Sequence, residues 1–171
     1  MKKKIVYFLL MLSLVVLQTS FVPNFCAGYF FVDIVLVGAM AWSFADGFAP
    51  FLPWAITLGI LQDIFSHSVV GAHVLVIVLS TYVLSFFSKR FSMEIKGTGV
   101  LILSLLVAVG SFLPHLFLGF FYAGKISLPV ESLTFSFPGS ISLLVQISAN
   151  IVFFFLFLRF VKKMKKYYSL E

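Results

Sequence analysis

The stretch that decides the fold, residues 58–73, reads Leu-Gly-Ile-Leu-Gln-Asp-Ile-Phe-Ser-His-Ser-Val-Val-Gly-Ala-His. Here a strongly apolar chain stops, turns and begins again around one carboxylate, Asp63. Residues 51–60 are apolar apart from Thr57, and residues 74–79 are apolar throughout. A charge between two such segments is costly unless a polar group meets it. We therefore expect a membrane bundle arranged around this corner.

The composition predicts an all-α, polytopic membrane protein. Of the 171 residues, 61% are hydrophobic and 11% are charged, and the mean hydropathy is +1.13. A soluble domain has about a quarter of its residues charged, and a membrane helix needs about 20 apolar residues. We predict a single transmembrane domain over residues 1–171 with six spans, at about 5–22, 31–45, 48–64, 71–88, 98–121 and 140–160.

The basic residues predict the topology. Eleven of the twelve Lys and Arg residues lie in three clusters, at 2–4, 89–96 and 159–166. Six spans place all three clusters on the cytoplasmic side, as the positive-inside rule requires, and leave Lys125 outside. We predict that both termini are cytoplasmic and that the clusters touch membrane lipids. Nucleic acid is not an expected partner, because the sequence contains no polar domain to carry its binding surface.

Two aspartates are candidate sites. Gly59 and Asp63 are four residues apart and share a helix face, where the glycine lets another backbone approach the carboxylate. Asp63 then either makes a specific polar contact or is solvated at the membrane surface. Asp33 stands at the start of the second predicted span, where it either caps the helix or contributes to function.

Metal and catalytic sites are less favoured by the pattern. Asp63, His67 and His73 contain the residue types of a metal site, but their spacing requires a helix that continues through Ser66. Ser66, His67 and Asp63 have the side chains of a triad, which neighbours in sequence rarely assemble. We predict no catalytic residue, no metal and no cofactor.

Two further features concern helix packing. Ser142, Gln146 and Asn150 recur every four residues and form a polar stripe, which should face other helices because an amide in lipid is expensive. Trp42, near the end of the second predicted span, is expected to be an interfacial anchor.

A signature in residues 58–74 resembles that of the MreD family of rod-shape-determining membrane proteins, Leu-Gly-x-x-x-Asp-x-x-Ser-Gly-x-x-x-Gly-x-x-Ala. The matching positions are Gly59, Asp63, Ser66 and Gly71, while His67 replaces a glycine and Val74 an alanine. The Leu-Gln-Thr-Ser of residues 17–20 also resembles the end of the family's first span. Asp33 with Trp42 resembles its Pro-Asp-Leu opening and Trp, although Val32 replaces the proline. The resemblance covers about residues 5–90.

The resemblance implies a non-enzymatic protein of the bacterial inner membrane. Its expected partner is MreC, a bitopic protein with a periplasmic domain, which links it to RodA, a class B transpeptidase and the actin-like MreB. The implied fold is a compact six-helix bundle similar to the substrate-binding subunits of energy-coupling-factor transporters. A homodimer is left open.

Three functions follow as hypotheses. The first is a membrane scaffold for cell-wall elongation, with Gly59, Asp63, Ser66 and Gly71 forming the turn whose shape matters. The alternative is a substrate-binding subunit of a vitamin transporter, with Asp33, Asp63 and His73 lining an outer pocket. The third, an intramembrane enzyme, has neither a paired-aspartate motif nor a Gly-x-Ser-x-Gly element to support it.

Overall fold

The computed structural model describes residues 2–21, 32–66, 70–90, 98–123 and 140–168. These residues form six helices, which confirms the predicted all-α class. Helix α1 is Lys2–Val16 and continues as a π-helical turn, Leu17–Phe21; α2 is Ile34–Asp46, α3 is Phe48–Phe65, α4 is Ala72–Arg90, α5 is Thr98–Ala123 and α6 is Ser140–Tyr168.

Helix α2 lies at the centre of the bundle. Its residues from Val35 to Ser43 are all buried, and it contacts each of the other five helices. A helix that is covered on every side is apolar on every side, so its sequence carries no periodicity that would predict a facing direction. The sequence led us to expect that the bundle is arranged around the corner at residues 58–73. Instead, α2 is the centre, and the corner is one of the contacts that hold neighbouring helices together.

A single residue reverses the chain between α2 and α3. Gly47 has φ +87°, a left-handed conformation that glycine adopts without steric cost. The N–H of Phe48, the first residue of α3, donates to Ser85 Oγ at 3.1 Å and ties this reversal to α4. The tight connection makes α3 begin directly beside the end of the central helix.

Helix α6 runs parallel to α2. Asn150 accepts a hydrogen bond from the backbone at the start of α2, and Lys165 forms an ion pair with the last residue of α2, Asp46. Helix α2 has 13 residues, so it rises about 20 Å. It is thus shorter than the roughly 30 Å hydrocarbon core of a bilayer.

Three helices are long and apolar enough to cross a membrane: Phe48–Phe65, Ala72–Lys89 and Leu144–Lys166. The other apolar stretches, Tyr7–Ser20, Ile34–Asp46 and Thr98–Pro114, have 10–17 residues in the part of the chain described. By length and composition this is a membrane protein. The six-pass count and the cytoplasmic termini stay predictions.

Exposed apolar side chains outline the surface that a bilayer would cover. On α5, Leu101 and Leu105 are 71% and 65% exposed, and Val109 continues the same face one turn further. A water-soluble monomer rarely exposes such a contiguous apolar face. The pattern agrees with the membrane assignment.

Candidate functional site

Asp63 fastens α3 to the beginning of α4. Its carboxylate is buried and accepts the Gly71 N–H at 2.6 Å on Oδ2 and the His73 N–H at 3.0 Å on Oδ1. The first N–H groups of any helix have no partner within the helix, and a carboxylate there also meets the positive end of the helix dipole. The sequence left open whether Asp63 makes a specific polar contact or is solvated at the membrane surface. In the structure it makes a specific contact, and the partners belong to the same chain.

The His73 side chain completes this arrangement. Its Nδ1 lies 2.8 Å from Asp63 Oδ1. This distance is that of a hydrogen bond between the imidazole nitrogen and the carboxylate oxygen. Both carboxylate oxygens are thus engaged by the start of α4. The arrangement fixes the position of two helices, and it does not hold the carboxylate open toward a ligand.

Gly59 and Gly71 serve the same corner for different physical reasons. A Cβ added to Gly59 would lie 2.5 Å from Val74 Cα, a distance that packed atoms do not reach. Gly59 is therefore required by space, because the α4 backbone occupies the volume of a side chain. Gly71 has φ +97°, and a Cβ there would meet nothing within 4 Å. Gly71 is required by backbone conformation.

Ser66 terminates α3. Its N–H and its Oγ both donate to the Gln62 carbonyl, at 2.9 Å and 2.6 Å. Of the signature residues, Gly59, Asp63 and Gly71 thus meet at one place, and Ser66 closes the helix beside them. We call Gly59, Asp63, Gly71 and His73 the hairpin clamp. His67, which has the residue type and position of a possible metal ligand in the sequence, lies outside the described residues.

A second polar cluster surrounds the N-terminus of α2. The Asp33 carboxylate accepts the Leu36 N–H at 3.0 Å, so Asp33 caps the helix. Gln18 Oε1 accepts the Ile34 N–H at 2.8 Å, and Asn150 Oδ1 accepts the Asp33 N–H at 3.2 Å. Because α2 is short, these N–H groups end within the bundle, where side chains must replace water as acceptors.

The polar stripe of α6 faces other helices. Asn150 is buried and donates from Nδ2 to Ser111 Oγ on α5 at 2.9 Å. Its Oδ1 accepts the hydrogen bond from the Asp33 N–H at the start of α2. Gln146, one turn earlier, is also buried. The side chain of Ser142 lies outside the described residues. The amide of Asn150 therefore joins three helices at one level.

The three residues that the transporter hypothesis grouped in one outer pocket have hydrogen-bonding roles at the starts of two different helices. Asp33 belongs to the cluster with Asn150 and Gln18. Asp63 and His73 belong to the hairpin clamp. The two aspartates cap two different helices.

A third cluster, at the other end of α2, was missed by the sequence reasoning. Asp46 forms an ion pair with Lys165 Nζ at 2.6 Å and accepts hydrogen bonds from Trp42 Nε1 at 2.8 Å and Tyr7 OH at 3.3 Å. The Tyr7 and Trp42 rings pack edge to face with centroids 4.6 Å apart. Lys165 also donates to the Ala45 carbonyl at 3.3 Å. We call Tyr7, Trp42, Asp46 and Lys165 the basic-end clamp.

The expectation that Trp42 is an interfacial anchor was wrong. Its side chain is buried in the core, and its indole N–H is used within the protein. A usable signal was present in the sequence, because Trp42 and Asp46 are four residues apart and share one helix face. The partners from α1 and α6 carried no such signal.

These contacts define the class of the protein as a helical membrane bundle whose polar side chains fasten helices to one another. In comparisons with known proteins, no family model, no curated protein and no solved structure matched the chain.

Proposed function

We propose that the chain is a non-enzymatic scaffold of the MreD type in a bacterial cytoplasmic membrane. In this role it binds MreC and helps the cell-wall elongation machinery to maintain rod shape. Contact with RodA, the class B transpeptidase and MreB would be made directly or through MreC. The proposal starts from the signature in residues 58–74 and is supported by what those residues do in the fold.

The observation that carries the proposal is the convergence of Gly59, Asp63 and Gly71 on one corner. Each is used to position backbone: Gly59 by admitting the Val74 backbone, and Asp63 by binding the Gly71 and His73 N–H groups. Residues used in this way give a corner of defined shape. A defined shape is what a scaffold needs for recognising a partner helix by close packing.

An exposed apolar surface lies beside the clamp. Ile64, Phe65 and Val70 flank the end of α3 and the approach to α4, and they are 60%, 44% and 78% exposed. We call these three residues the corner surface. Their backbone is held by the hairpin clamp, so the surface is organised before a partner arrives, which lowers the entropic cost of binding. We assign the MreC contact to this surface.

Affinity purification in a mild detergent tests the assignment. The triple variant Ile64→Ala, Phe65→Ala and Val70→Ala should recover on the order of tenfold less MreC than the wild type. Truncating apolar side chains at the centre of an interface to alanine commonly weakens binding by this factor or more. The matched control truncates Leu101, Leu105 and Val109 to Ala on the exposed face of α5. The control should retain MreC and rod shape.

Three results would count against the proposal. Equal loss of MreC in both triple variants would show that the corner surface is not the specific binding site for MreC. Wild-type protein that recovers no MreC would remove the scaffold role. An ATP-binding cassette module or a vitamin that travels with the wild type would favour the transporter subunit instead.

A further inference from the structure

A groove between α5 and α6 has the two-part chemistry of a lipid site. Its volume is about 330 Å³, and its lining residues are Val100, Phe155, Leu158, Arg159 and Lys162. The four residues from α6 are spaced i, i+3, i+4 and i+7, so they form one helix face. Along that face, apolar side chains are followed by two cations toward the C-terminus.

The groove lies at the end of the bundle that contains the basic-end clamp, which we call the basic end. Gly47 and Lys89 lie close together there, and Asp46 pairs with Lys165. Lys163 and Lys166 are exposed at the same end of α6. In the predicted six-span topology, the cations of the groove would be level with the cytoplasmic head groups and its apolar wall would lie toward the membrane interior.

The cations of the groove differ from Lys165 in how they are used. Lys165 is held by the Asp46 carboxylate at 2.6 Å. Among the described residues, no carboxylate pairs with Arg159 or Lys162, and both side chains are exposed. An arginine binds phosphate oxygens through two parallel N–H donors, and a neighbouring lysine adds a point charge.

We propose that this groove binds an anionic phospholipid. The phosphate lies between Arg159 and Lys162, and the first part of an acyl chain lies against Val100, Phe155 and Leu158. Charge complementarity favours an anionic head group over a zwitterionic one, and the apolar wall favours a lipid over a soluble phosphate. This site is independent of the proposed MreC contact, because it lies at the opposite end of α3 from the corner surface.

The test is native mass spectrometry of the delipidated full chain titrated with phosphatidylglycerol, or with phosphatidylcholine of the same acyl chains. The double variant Arg159→Gln, Lys162→Gln should bind phosphatidylglycerol on the order of tenfold more weakly than the wild type, because each cation near an anionic head group contributes measurably to binding. The control, Lys163→Gln and Lys166→Gln, removes the same charge from exposed positions outside the groove. It should bind as the wild type does.

Several results would overturn the site. Equal weakening in the two double variants would reduce it to general attraction by the basic end. Phosphatidylcholine that binds as tightly as phosphatidylglycerol would remove the role of charge. Glycerol 3-phosphate that displaces the lipid at equal concentration would make this a site for soluble anions. If the groove variant cannot be recovered in folded form, the wild type alone still tests the site. A wild type that does not bind one phosphatidylglycerol molecule in preference to phosphatidylcholine would exclude it.

Discussion

Each end of the bundle is fastened by an aspartate, and the two are held in different ways. In the hairpin clamp, Asp63 binds backbone N–H groups and one side chain only 8 and 10 residues further along the chain. In the basic-end clamp, Asp46 binds side chains from the first and last helices, with Tyr7 39 residues away. The first joins two consecutive helices, and the second pins α1 and α6 to the central helix.

The difference shows how burial decides the energetic role of a carboxylate. The Asp63 side chain is fully covered, so its hydrogen bonds must replace the water that it has lost. The Asp46 side chain is 14% exposed and its Lys165 partner 21%, so both retain some solvation. Loss of the partners of Asp63 should therefore cost more than loss of the cation beside Asp46.

The largest expected effect comes from removing the Asp63 carboxylate. Asp63→Leu should lower the free energy of unfolding by about 4 kcal/mol, because two backbone N–H groups and the His73 ring lose their acceptor within the bundle. Asp63→Asn keeps the shape and one acceptor oxygen, so it should lose about half as much. Thermal unfolding in detergent measures both. Two variants as stable as the wild type would show that Asp63 does not hold the hairpin.

A smaller effect is expected from the space beside that carboxylate. Gly59→Ala places a Cβ on the Val74 backbone, which cannot move without shifting α4, so about 2 kcal/mol should be lost. The control is Gly110→Ala. There the nearest obstacle, at 2.9 Å, is the flexible end of Met40, which can move aside. Similar unfolding temperatures for the two variants would contradict the close approach of α3 and α4.

The smallest effect should appear at the basic end. Lys165→Met removes the cation and leaves Asp46 with the Trp42 and Tyr7 donors, at a cost of about 1 kcal/mol. Lys163→Met, an exposed neighbour, should cost nothing measurable. Tryptophan fluorescence during unfolding, measured in a Trp54→Phe background so that only Trp42 emits, reports the local change, because the Trp42 indole binds the same carboxylate. A loss as large as that of Asp63→Leu would abolish the distinction between the clamps.

The parts of the fold that the sequence predicted are local. Runs of apolar residues predicted the helices, the short gap between the predicted spans 31–45 and 48–64 contains the reversal now seen at Gly47, and Asp33 was expected either to cap a helix or to contribute to function. The corner at Gly59 and Asp63 was predicted because its partners follow within a few residues. The burial of Trp42 and its bond to Asp46 were not predicted, because apolar helices without periodicity do not reveal which side faces inward.

By itself, the sequence determined the class of the molecule, an apolar helical bundle, and the site of the α3–α4 fastening. Consecutive helices joined by a short turn must lie side by side, so a carboxylate and two glycines at their junction can be interpreted without a structure. Only the tertiary structure decided that the 13-residue α2 is the centre. It also decided that Lys165, among the basic residues of the tail, is the one that binds Asp46. Contacts between distant helices depend on how each helix is rotated and how deep it lies, and neither quantity is encoded by hydrophobicity alone.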